Sequence, residues 1–224
     1  MPQSLFVVFE GGEAAGKSTQ TRLIAAYLAR QGYKVTRVTE PGSTHLGIRV
    51  RRLVKYGQMA ISPLAETMLF LAARTQLVND VIAPALARGD AVVSDRFGDS
   101  TLAYQGYGRG LDIGDLRNLN ALATSGIVPD LTVLLDMPVE ASISRRAPRV
   151  TDRFEAELQD QNGGFSNRTF HEKVRRGFLS LASQSPDRWL VVDATLPRRE
   201  VSRLVRSRIS DLLEQKKVQY SLYQ

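Results

Sequence analysis

Leu5-Phe-Val-Val-Phe-Glu-Gly-Gly-Glu-Ala-Ala-Gly-Lys-Ser18 decides the fold. Its first five residues are wholly apolar and read as a strand buried on both faces, as in a parallel sheet. Gly11 to Ser18 then fits the pattern G-x-x-x-x-G-K-[ST], a phosphate-binding loop that requires a strand before it and a helix after it. Both are expected, because Lys17 to Gln31 places Leu23, Ile24, Tyr27 and Leu28 on one helical face and Gly32 stands at its C-cap. Gly11, Gly12 and Gly16 let the backbone curl so that N–H groups point inward, and Ala14 and Ala15 add two more. The positive end of the helix beginning at Lys17 adds to the field. Lys17 is placed to reach the β- and γ-phosphates of a nucleoside triphosphate, Ser18 to hold Mg²⁺, and Thr19 to complete the cradle.

Outward from this loop, strands alternate with helices. Lys34–Thr39, Ala91–Ser94, Leu131–Leu135 and Trp189–Val192 read as further strands, each followed by a polar residue (Glu40, Asp95, Asp136, Asp193). Short helices are expected around Leu46–Val54 and near Thr101, and longer ones after Pro63, from Ile113, over Asn167–Ser183 and over Glu200–Glu214. In the Pro63 helix Met68, Leu71, Thr75, Val78 and Ile82 mark a packing face, Pro84 introduces a kink and Gly89 ends it. The tail, Gln219–Gln224, shows no period. This is an α/β pattern: a five-stranded parallel sheet between helical layers, a three-layer P-loop NTPase sandwich with ligands beyond the carboxyl ends of the strands. Absence of repeats or a linker points to one domain over residues 1–224, with a mobile lid at about 145–165.

Composition narrows the function classes. The chain has 224 residues, 43% of them hydrophobic, which suits a single domain with a substantial core. Cysteine is absent, which excludes disulfides and thiolate metal sites and fits a reducing, cytoplasmic compartment. The N-terminus lacks a signal-peptide pattern and no apolar run is long enough to span a bilayer, so no membrane partner is expected. The net charge of +7 attracts polyanions, but the basic residues are dispersed among acidic neighbours without basic–aromatic interleaving, so phosphorylated small molecules are favoured over nucleic acid. The N-K-x-D base-reading tetrapeptide of P-loop GTPases is missing.

Asp95-Arg96-Phe97 puts a carboxylate suited to Mg²⁺, or to its water, beside a guanidinium suited to clamping an acceptor phosphate. Taken with Ser100 and Ala103-Tyr104-Gln105, this segment resembles the signature of thymidylate kinases. The acidic P-loop Phe9-Glu-Gly-Gly-Glu-Ala-Ala-Gly-Lys-Ser-Thr19, Glu40-Pro-Gly-Ser-Thr44, Met68-Leu-Phe70 with Arg74, Pro129-Asp-Leu-Thr132 and Asp193-Ala-Thr195 resemble further motifs of that family, in order, from about Leu5 to Leu213.

The resemblance implies transfer of a phosphoryl group from ATP to dTMP, with Mg²⁺. It implies that Phe70 stacks on thymine and that Arg74, one turn on, donates to a thymine carbonyl. It implies that Thr101 bonds the base, that Tyr104 crowds the sugar 2′ position, and that Arg51 and Arg96 hold the acceptor phosphate. Glu13 would bind the sugar 3′-hydroxyl, and Glu40 would assist at the acceptor phosphate or metal. Gln105 matches the signature without a definite role. A catalytic arginine comes either from the P-loop or from the lid in this family; here the loop carries Ala14 and Ala15, which resembles the bacterial lid-arginine type. Arg149 and Arg153, the latter in an Asp-Arg pair, are the expected suppliers. A homodimer packed through helices that include the Pro63–Arg88 segment is also implied.

Two departures stand out: Thr39 replaces the basic residue that often precedes Glu-Pro-Gly, and Ser43 stands where the family has glycine. The alternatives are another nucleoside monophosphate kinase, a DNA-stimulated P-loop ATPase, and a nucleotide-binding module without catalysis.

Overall fold

The computed structural model describes residues 4–56, 60–145 and 166–221. Five strands form one parallel sheet: β1 (Leu5–Glu10), β2 (Val35–Thr39), β3 (Ala91–Asp95), β4 (Leu131–Asp136) and β5 (Trp189–Asp193), in the order β2-β3-β1-β4-β5. Every residue of β1 is buried, as a central strand covered on both faces requires. Its side chains alternate. Leu5, Val7 and Phe9 meet α1 (Lys17–Arg30) and α9 (Arg198–Ser221) through Ile24, Leu28, Val201, Val205 and Ile209. Phe6 and Val8 meet Leu77, Val78, Ile82 and Ala85 on the opposite face. A third cluster joins Leu134 and Trp189 to Val174, Phe178 and Leu181 of α8 (Ser166–Gln184). The α/β three-layer architecture is therefore as expected.

The register sets the site. Phe9 pairs with Asp95 and Thr39 with Asp95, so β1, β2 and β3 finish within a residue of one another, while β4, whose Leu134 pairs with Glu10, runs two residues further to Asp136. The strand order reverses direction at β1, whose neighbours are β3 and β4, and ligand crevices form at such a switch point.

Several boundaries differ from the sequence reading, each for a visible reason. The helix opened by Pro63 is capped by Ser62, whose hydroxyl accepts from Ala65 N, and runs as α3 (Pro63–Leu77), a π-helical stretch (Val78–Ile82) and α4 (Ala83–Ala87). The wider π turn lies immediately before Pro84, where an α-helical turn would clash with the ring. Met68 does not pack: it is exposed, and the buried face of α3 instead carries Glu66, Thr67, Leu71, Ala73, Arg74 and Leu77. Leu71, Val78 and Ile82 are buried as expected, but Glu66, Thr67, Ala73 and Arg74, polar or small, carry no hydrophobic signal and are what turns this face to the site. The last helix continues past Glu214 to Ser221, and Lys216 ties it across the molecule to Ser4 O at 3.1 Å and Asp130 Oδ1 at 2.6 Å. The remaining helices are α2 (His45–Tyr56), α5 (Gly98–Thr101), which passes into a π-helical stretch (Leu102–Gly108), α6 (Ile113–Ala123) and α7 (Val139–Ser144).

Candidate active site

A cavity of about 450 Å³ opens at the carboxyl ends of β1, β2 and β3. Its floor is the loop between β1 and α1. Gly11 has φ +136°, and a Cβ there would stand 2.5 Å from the carbonyl oxygen of Leu135, so only glycine fits this approach to β4. Gly16 has φ +94° and Ala14 φ +54°, completing the curl. No side chain caps α1, and its first residues, Lys17, Ser18 and Thr19, line the cavity with Glu13, Ala14 and Gly16. Ala15 turns into the core, and Gly11 and Gly12 contribute their backbone behind the wall.

Lys17 folds back over this loop, donating to Gly11 O at 3.0 Å and Gly12 O at 2.6 Å. Those carbonyls hold the ammonium over the loop that would receive phosphate. Burial, and then the nearby Arg96 charge, lower its pKa to about 8. Ser18 Oγ donates to Asp95 Oδ2 at 2.5 Å, bringing two hard oxygen donors together beside the loop. Among the described residues no group of three or more His, Cys, Asp or Glu side chains could hold a metal ion. The oxygen pair of Ser18 and Asp95 suits Mg²⁺, which keeps several waters and takes few protein oxygens alongside phosphate.

The opposite wall is built from charged side chains. Arg96 sits at φ +73° directly after β3, and its guanidinium donates to Glu13 Oε1 at 2.6 Å, Ser100 Oγ at 3.1 Å and Tyr104 OH at 3.1 Å. It also stacks 4.9 Å from the Tyr104 ring centroid. Burial opposes its charge, but Tyr104, Glu13, Glu10 and Asp95 outweigh that, so Arg96 stays cationic with its pKa raised. Three of its five N–H groups are used within the protein, leaving two for a ligand. Tyr104, wedged edge-on against Phe170 and Phe178, is pushed up to about 12 by burial and remains a phenol.

Arg74 is held mainly by the protein itself. It lines the cavity, and four hydrogen bonds and an ion pair already hold it within the protein. Nε and Nη2 reach Glu40 Oε2, both at 2.8 Å; Nη1 reaches Thr101 Oγ1 at 2.9 Å and Asn120 Oδ1 at 2.6 Å; Nη2 also reaches Phe97 O at 3.2 Å. Burial raises the Glu40 carboxyl despite Arg74, and its Oε1 is buried without a hydrogen-bond partner among the described residues. Because Glu40 lines the cavity, a ligand donor can satisfy that oxygen.

Glu13, Glu40, Arg51, Phe70, Arg74, Asp95, Arg96, Thr101, Tyr104 and Gln105 all line this one cavity. Gln105 gains a physical role, donating from Nε2 to the buried Glu66 at 3.0 Å, where Arg109 also pairs at 3.4 Å. Ser43 has φ +60°, the left-handed conformation that glycine takes most readily, and its hydroxyl accepts from Thr39 N. Arg149 and Arg153 lie outside the described residues. Arg145, on the near side of that segment, lines the cavity and is held by Ala194 O at 2.7 Å and Thr195 O at 3.3 Å.

Sequence reasoning missed Lys55, Asn120 and the way Glu10 is used. Lys55 is legible in hindsight, four residues after Arg51 on α2 and so on the same face. Asn120 carries no local signal, because α6 brings it to Arg74 from 46 positions away.

A sequence profile of the family described as thymidylate kinase matches residues 9–205. Among similar proteins is the thymidylate kinase of Dehalococcoides mccartyi (strain BAV1), 44% identical over 211 residues, covering 94% of this chain and 97% of that one. That of Deinococcus radiodurans is 45% identical over 212 residues, covering 94% and 98%. The crystal structure of thymidylate kinase from Ehrlichia chaffeensis superposes with a TM-score of 0.72 at 32% identity, covering 92% of this chain and 98% of that one.

Proposed function

The chain belongs to the thymidylate kinase family, and from that premise we propose how its residues phosphorylate dTMP to dTDP, with ATP as the donor. One observation carries the reading: the phosphate loop and the acceptor-binding side chains line the same cavity. The phosphate chain of ATP lies in the Gly11–Ser18 loop, and Lys17 leaves its carbonyl partners for the β- and γ-phosphates. Mg²⁺, held through Ser18 and Asp95, neutralises charge on the phosphates when bound. Across the cavity Arg51 and Arg96 hold the 5′-phosphate of dTMP. An oxygen of that phosphate bonds to the γ-phosphorus as the bond to the β,γ-bridging oxygen breaks, leaving ADP.

Phe70 stacks on the thymine ring, Arg74 shares an N–H with its edge and Thr101 donates from its hydroxyl. Gln105, tied to Glu66, backs this wall, and Tyr104 closes the space beside the sugar 2′ carbon. Glu13 both pairs with Arg96 and accepts from the 3′-hydroxyl, so acceptor position is tied to the loop. Glu40 contributes its unpartnered oxygen to a donor on the ligand side.

Charge developing on the transferred group calls for an arginine beside Lys17, and the loop supplies none, since Ala14 and Ala15 occupy the positions concerned. We assign that role to the lid, through Arg149 and Arg153, making this enzyme a lid-arginine type within a single domain of residues 1–224. Arg153→Ala is expected to lower kcat with little change in the KM for dTMP; unchanged kcat in both Arg149→Ala and Arg153→Ala overturns the assignment. The whole reading is tested by steady-state assays of dTMP, dUMP, dGMP, UMP and AMP with ATP and Mg²⁺, in which dTMP should lead and a purine acceptor should not.

We propose a cytoplasmic homodimer formed through α2 and α3, which pack on each other and leave Leu53, Tyr56, Leu64 and Met68 exposed. Light scattering should give twice the chain mass, and Leu64→Glu with Met68→Glu should give the monomer.

A further inference from the structure

Glu10 ends β1 with its side chain fully buried and does not line the cavity, so it cannot touch a substrate held there. A carboxylate in a core is costly unless its oxygens are satisfied, and these are satisfied in an unusual way. All three donors come from the turn that follows β3. Phe97 N and Ser100 N donate to Oε1 at 2.9 and 3.1 Å, and Ser100 Oγ donates to Oε2 at 2.6 Å. The same Ser100 Oγ accepts from Arg96 Nη1 at 3.1 Å. Arg96 is the first residue of that turn, with its backbone in the left-handed region, its N–H on Phe9 O at 3.0 Å and its carbonyl accepting from Ser94 Oγ at 2.6 Å.

We propose that Glu10 is a positioning residue for the acceptor phosphate: it clamps the Phe97–Ser100 turn and, through Ser100, aims the Arg96 guanidinium. The proposal rests on the reading of Arg96 as a phosphate ligand. Hydrogen bonds from Phe97 and Ser100 fix the backbone on the far side of Arg96, while Phe9 and Ser94 fix the near side. The Ser100 hydroxyl is oriented by donating to Glu10, which turns its lone pairs toward Arg96. A neutral amide in place of the carboxylate still accepts the two backbone N–H groups on its oxygen. Its NH₂ then faces Ser100 Oγ, occupies a lone pair and reverses the relay.

The test is a kinetic cycle on the full chain with dTMP and ATP varied separately. Glu10→Gln is expected to raise the KM for dTMP about 10-fold, the size typical of lost support behind a ligand-binding group, with the KM for ATP unchanged. Arg96→Lys is expected to raise the KM for dTMP by itself, and Glu10→Gln placed on that background should add less than about twofold, because the lysine has no fork to be aimed. Ser100→Ala should reproduce the Glu10→Gln pattern and serves in its place where that variant does not fold. Multiplying effects of Glu10→Gln and Arg96→Lys, or an equal rise in both KM values, overturn the proposal, since Glu10 would then act on the fold at large. An unchanged KM in Arg96→Lys overturns the reading of Arg96, and the aiming role with it.

Discussion

The two walls of the cavity are made of different material. The donor wall, Gly11 to Thr19, is backbone: three glycines, two alanines and the open end of a helix, with Lys17 resting on two loop carbonyls. The acceptor wall is side chain, with Arg74 and Arg96 each held by several partners drawn from β1, β3, α5, α6 and the loop after β2. A backbone cradle needs only the right residues in a row. A side-chain wall needs the fold to bring distant residues together. The first should therefore fail in catalysis and the second in acceptor binding and stability.

The largest expected effect lies on the donor wall. Lys17→Met removes the ammonium aimed at the transferring group and is expected to lower kcat about 10³-fold, the scale of losing one charge that stabilises a phosphoryl transition state. The KM for dTMP should move little. A comparable rise in that KM would break the division, by showing that Lys17 organises the acceptor as well.

Next comes Arg74→Met on the acceptor wall. It leaves Glu40 buried with neither its counter-charge nor its donors and strips Thr101 and Asn120 of a partner. Breaking one half of a buried pair costs about 3–5 kcal/mol, so urea unfolding should show a loss of that size. The double variant with Glu40→Met should recover a large part of it. Stability unchanged in Arg74→Met would mean that this arginine serves the ligand alone.

Gly11→Ala probes the donor wall as structure. The added methyl meets Leu135 O at 2.5 Å at a left-handed φ, so a loss of about 2 kcal/mol is expected, whereas Gly12→Ala, with open space around its Cβ, should cost under about 0.5 kcal/mol. Equal losses would show that the loop yields where the packing predicts it cannot.

The same contrast explains what could be read from the chain. The donor wall was legible because its chemistry is contiguous: Gly11, Gly16 and Lys17 carry their geometry in their own residue types. The sheet was legible because Leu5 to Phe9 of β1 are apolar throughout and each later strand ends on, or runs directly into, a carboxylate: Glu40, Asp95, Asp136 or Asp193. Arg96 was reached from its place beside Asp95 at a strand end, whereas Phe70 and Arg74 were reached through motif resemblance, which names positions without naming partners. That is why the hold of Glu40, Thr101, Asn120 and Phe97 on Arg74 went unseen. Met68 was misplaced for a related reason: Leu71, Val78 and Ile82 do pack, but part of the buried face of α3 is Glu66, Thr67 and Arg74, which a hydrophobic period does not register.

The smallest effect sharpens the comparison where the walls meet, at Glu10. Burial is the main cause that raises its pKa to about 7 from an ordinary 4.5, against the opposing pull of Arg96 and Ser100. A carboxyl raised on folding binds its proton more tightly in the native state than in the unfolded one. Its contribution to stability is therefore full below pH 4.5 and is lost as pH rises through 7. Wild type should lose more than about 1 kcal/mol between pH 5 and pH 8 relative to Glu10→Gln, which has no proton to lose there, when both are unfolded in urea. A constant difference across that range would place the charge on Glu10 at both pH values, and would make the Arg96 field stronger than the burial that opposes it.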